Sequence, residues 1–80
     1  MYIIKANYLH GYTIRLYFND GLQKDVDFGT FLKKRSHPQW DKYNDPEIFK
    51  TFKIENGNIV WGKNWDLVFP LNKLRKGKII

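Results

Sequence analysis

Eighty residues with a formal net charge of +6, no cysteine, and three Trp, five Tyr and six Phe make one small domain, residues 1–80. A domain of this size buries only about 60 % of its unfolded surface, so dense aromatic packing has to compensate. The missing cysteines exclude disulfides, thiolate catalysis and thiolate metal sites, and favour a reducing cytoplasm; no apolar run nears the roughly 18 residues of a membrane span, and no leader opens the chain.

Tyr2 to Leu9, rich in aromatic and β-branched residues, reads as a first strand that ends at the His10-Gly11 turn. Thr13 to Phe18 alternates, with Ile14, Leu16 and Phe18 on one face and Thr13, Arg15 and Tyr17 on the other. The next strand is Leu22 to Asp27. A two-residue turn at Asp20-Gly21 would set Leu16 against Asp25 and mix the faces. A three-residue loop, 19–21, pairs Phe18 with Leu22, Ile14 with Val26 and Arg15 with Asp25, and puts Gly21 where a left-handed residue is wanted. Lys24 then sits opposite Leu16 and must run its stem out past the sheet edge.

Asp27 ends that strand and can cap a short helix, Phe28 to Lys34, with Phe28, Phe31 and Leu32 on one side. Pro38 stops it, and residues 36–45 form a loop anchored by Trp40 and Tyr43. Asp45-Pro46 opens a second helix of one or two turns, to Lys50, with aspartate as cap and proline in the first helical position. A two-residue Asn56-Gly57 turn pairs Glu55 with Asn58, Ile54 with Ile59 and Phe52 with Trp61, leaving both apolar pairs on one face. Trp65 to Phe69 is a short strand or extended run, and Pro70 starts a last helical turn carrying Leu71 and Leu74. These elements predict an α+β domain: an antiparallel sheet of about five strands, two hairpins plus the N-terminal strand, with short helices packed on one face.

Chemistry-bearing residues are sparse. Ser36 is the single serine, its neighbour His37 cannot point at the same atom, and His10 lies in a turn, so no triad can be assembled. Asp20, Asp25 and Asp27 are the densest acidic group, but the register assigns Asp25 to Arg15 and Asp27 to a cap, so no metal or cofactor is expected. The glycines are dispersed in turns and form no phosphate-cradling loop. The expectation is a protein that is not an enzyme.

Charge is the remaining signal. Residues 1–32 balance three basic against three acidic residues, so the whole excess lies in residues 33–80. It concentrates at Lys33-Lys34-Arg35 and in a tail with Lys73, Arg75, Lys76 and Lys78. Arg35, Trp40, Lys42 and Tyr43 interleave cations with aromatics, which could stack a base beside a phosphate contact, but the pattern fits better a loop that anchors its rings in the core and leaves its lysines in water. Trp61 faces the core through Phe52; Trp65 is either core or an exposed anchor for a partner.

The run Tyr12 to Phe18, Asp20-Gly21, Val26-Asp27-Phe28, Phe49 to Ile54, Gly57 to Trp61, Asp66-Leu67, Pro70 and Leu74 resembles the small bacterial proteins grouped as domain of unknown function 2442, with the fold of the NE-type N-terminal domain family. The resemblance implies an α+β domain with an antiparallel sheet and brings no established activity. Members of that group are often encoded beside another small protein, as toxin–antitoxin pairs are, and some carry a helix-turn-helix after this domain; this chain ends at Ile80, so no such pair is expected here. The group usually has a proline three residues after the aspartate with an acid beside it, whereas Pro70 is four after Asp66 and the tail is basic. Asp66 keeps its place, with the expected role of capping or pinning the final turn.

The sequence thus predicts a non-catalytic protein-interaction module, an antitoxin-like member of a two-protein pair. The alternative is a nucleic-acid-binding accessory protein that uses its basic C-terminal half. The candidate surface is Lys33, Lys34, Arg35, Trp40, Trp65, Asp66, Lys73, Arg75 and Lys76. Self-pairing through sheet edges is a further expectation, and a membrane is not.

Overall fold

In the computed structural model, which describes residues 1–34, 38 and 40–77, six strands form two antiparallel sheets of three. The first holds β1 (Ile3–His10), β2 (Thr13–Phe18) and β3 (Gln23–Asp27). The second holds β4 (Lys53–Glu55), β5 (Asn58–Trp61) and β6 (Leu67–Val68). Both hairpin registers follow the side-chain pairing expected of them: Ile14 faces Val26 and Arg15 faces Asp25, while Ile54 faces Ile59 and Glu55 faces Asn58. The α+β class stands, and the single five-stranded sheet does not.

No strand pairing joins β1 to the second hairpin, although the turn of that hairpin meets the start of β1. Ile3 N donates to Gly57 O at 2.8 Å, and no ladder grows from that contact. β5 takes β4 on one side and β6 on the other, so the Trp65–Phe69 run completes a second sheet. The two sheets enclose one core between them. Ile14, Leu16, Phe18 and Val26 come from the first, Ile59, Trp61 and Leu67 from the second, all buried.

The short helices each set an apolar side chain into this core. α1 (Gly29–Lys34) buries Leu32, α2 (Pro46–Phe49) buries Phe49, and α3 (Leu71–Lys76) buries Leu74; elements of four to six residues can bury little more. A 3-10 turn, Asp41–Asn44, sets Tyr43 into the core. Local chemistry explains the starts of α1 and α2. Asp27 accepts from Gly29 N at 2.8 Å before α1, and Asp45 accepts from Glu47 N at 3.0 Å with Pro46 as the first residue of α2. Lys24 runs past Leu16 toward Gly77, the left-handed residue that closes α3.

Three surface carboxylates are held below their ordinary range. Hydrogen bonds from Arg15, at 2.7 and 3.1 Å, lower Asp25; Arg75 and then the Leu22 amide lower Asp20; the Trp65 indole and then the charge of Lys53 lower Glu55. In the unfolded chain these groups regain ordinary values and take up protons first as pH falls. Their contribution is complete at neutral pH and is lost as pH drops through the ordinary carboxylate range, about 4, and below. A melting series from pH 7 to pH 3 should stay flat to about 5 and then decline, less steeply in high salt, since exposed pairs are screened. A melting temperature that rose on acidification would contradict this.

Candidate interaction groove

The strand β6 forms one edge of the second sheet, and a hollow of about 340 Å³ runs beside it. Leu67 and Phe69 turn inward and are buried, while Val68 turns outward and is 42 % exposed. Strand alternation alone gives this, since successive side chains take opposite faces. Phe31 of α1 supplies the far wall, its ring 4.9 Å from Phe69 and 5.2 Å from Trp40. Pro70 and Lys73 close the end toward α3.

Trp40 is half-buried and oriented by its indole N–H, which donates to Asp66 O at 3.1 Å. The Asp66 carboxylate lies over Gly62, where a Cβ would stand 2.5 Å from Oδ2, and its Oδ2 is 3.5 Å from Lys42 Nζ. Asp66 thereby joins the β5–β6 turn to the Trp40–Lys42 segment. Asp66 does not cap the final turn: α3 has Pro70 as its N-cap, with no side-chain cap hydrogen bond.

The other candidate residues go elsewhere. Lys33 and Lys34 are exposed at the end of α1 and line a separate hollow of about 390 Å³ with His10, Thr13, Asp27 and Thr30. Arg35 lies outside the described residues, as do Ser36, His37 and Lys78. Arg75 is drawn back onto the fold, 2.9 Å from Asp20 and stacked over the Phe18 ring. Lys76 is exposed on α3. Trp65, left-handed and 36 % exposed, lies on the outer side, where its indole N–H donates to the Glu55 carboxylate. Among the described candidates, Trp40, Asp66 and Lys73 meet at the groove, and Lys33 and Lys34 line a different hollow.

Sequence reasoning missed Phe31, Leu67, Val68, Phe69 and Pro70 as groove residues. The available signal was an apolar residue, Val68, on the outward side of an alternating run. Asp25 and Asp27 take the partners that the register assigns them, and among the described residues no three His, Cys, Asp or Glu side chains gather into a metal site. No helix among them is long and apolar enough to cross a membrane.

Residues 3–70 match the family model described as protein of unknown function, DUF2442. The chain belongs to this family. The DUF2442 match takes in both sheets, Trp40, Asp66 and the groove as far as Pro70, and it stops short of Lys73, Arg75 and Lys76. No curated protein and no solved structure matches the chain.

Proposed function

We propose that this DUF2442 protein is a non-catalytic interaction module that takes a partner protein along β6. The observation that supports this reading is the groove itself. An edge strand with an outward Val68 lies beside a ledge of Phe31, Trp40 and Pro70. Edge strands offer backbone hydrogen bonds to an added strand, and aromatic side chains dominate the energetics of many interfaces. In the two-protein arrangement that the family resemblance implies, the companion protein would occupy this groove.

The reading is tested by recovering the tagged protein from its native host, with and without nuclease, as wild type and as Val68→Asp. A stoichiometric protein that survives nuclease with the wild type and is lost with Val68→Asp is the expected result. Recovery of nucleic acid instead, released steeply by salt and abolished by Lys33→Ala with Lys34→Ala, would move the function to the other hollow and overturn the proposal.

A further inference from the structure

We infer that the segment this groove accepts is a short, extended, acidic stretch of polypeptide with an apolar side chain beside its carboxylate. The inference rests on the interaction reading above and names the chemistry of the occupant. Length comes first. β6 is two residues long, and Pro70 has no N–H to extend a ladder, so an added strand can pair over about 67–69 only.

Apolar character follows from the walls. Val68, Phe69, Phe31 and Trp40 present side chain on both sides of the edge, which suits one aliphatic or aromatic residue of the incoming strand. Charge supplies the rest. Asp66 is answered by Lys42, whereas Lys73 on the rim is exposed and forms no ion pair among the described residues. The uncompensated charge of the groove is therefore positive. A second copy of this chain would bring another Lys73 and a further +6 to the same contact, which opposes self-pairing there. A nucleic acid would want a row of cations along its backbone, and this groove offers one beside a carboxylate.

A display library of random linear peptides selected on the wild-type protein provides the probe, and the enriched peptides are then synthesised and titrated. Enriched sequences should place Asp or Glu within about two residues of an apolar residue. Lys73→Glu should weaken such a peptide at least tenfold and strengthen its Glu→Lys counterpart. Val68→Asp should weaken both. Lys73 is exposed, so Lys73→Glu should hold its melting temperature within about 2 °C. Because Val68 flanks the buried Val60, Val68→Asp is titrated only at temperatures where circular dichroism shows it folded, which separates lost binding from lost fold. Enriched peptides without acidic bias, or binding indifferent to Lys73→Glu and Val68→Asp, would overturn the inference, as would displacement of the peptide by oligo-dT. If the native partner is lost on Val68→Asp yet its docking segment proves basic, the interaction reading survives and this one falls.

Discussion

Trp61→Ala is expected to leave most of the chain unfolded at about 37 °C, and Trp61→Phe to lower the melting temperature by about 10–20 °C. Trp61 is fully buried and stands at the centre of the aromatic core, its ring 5.3 Å from Phe28, 5.6 Å from Phe49 and 6.0 Å from Phe69. Its indole N–H donates to Phe49 O at 2.8 Å, which satisfies a carbonyl at the end of α2. Truncating a buried Trp to Ala typically costs about 3–5 kcal/mol, and a stranded carbonyl adds about 1–3 kcal/mol. A domain of this length holds only about 4–12 kcal/mol in all, at roughly 0.05–0.15 kcal/mol per residue. The phenylalanine variant keeps a ring in place but strands the Phe49 carbonyl and leaves part of the cavity, at about 2–3 kcal/mol. Each kcal/mol shifts the melting temperature of so small a domain by about 4–8 °C. Thermal unfolding followed by circular dichroism decides it; a shift under about 3 °C for Trp61→Phe would mean that the core repacks around the loss.

Gly57→Ala should be the most damaging change of its size in the chain, at about 2–4 kcal/mol. Two costs coincide there. Asn56 and Gly57 both have positive φ, 51° and 81°, as a two-residue hairpin turn requires, and an L-residue in the left-handed region costs about 1–2 kcal/mol. The added methyl would also fall far inside contact distance of the Tyr2 Cβ, an atom next to backbone that cannot swing away. Displacing Tyr2 disturbs the hydrogen bond from Ile3 N to Gly57 O, where the two sheets meet. Overpacking of this kind costs about 1–3 kcal/mol. Gly11→Ala is the control, because φ is 51° there and nothing lies within 4 Å of the new methyl. It should cost about 1 kcal/mol. Tyr2→Gly should partly rescue Gly57→Ala, whereas Tyr2→Ala, which keeps the offending Cβ, should not. Equal melting temperatures for Gly57→Ala and Gly11→Ala would refute the steric half of the argument.

The hairpins were legible because loop length and face alternation together leave a single register. The Arg15–Asp25 pair and the Asp45-Pro46 helix start were legible because each depends on residues close in sequence or directly opposed. What alternation cannot report is what covers a face. Val60 lies on the side of β5 opposite Ile59 and Trp61, yet it is fully buried, between Lys53 and Val68 on the neighbouring strands. The same blindness merged two sheets into one. The groove was hidden for a related reason, since it joins Phe31, Trp40, Val68 and Lys73 across four separate segments. Arg75 looked like a free cation because its partner, Asp20, is 55 residues away.

Each strand of both sheets pairs only with its neighbours in the chain, so every sheet forms by closing short loops. The seam between Ile3 and Gly57 is different, since it must bring together two points most of the chain apart. Short closures cost less entropy than long ones, so the hairpins are expected to form before the seam closes. Gly57→Ala strains the local turn and the seam together, so it should both slow refolding and speed unfolding. The meeting of the two sheets would thus be read in both rates at one turn resting on one tyrosine.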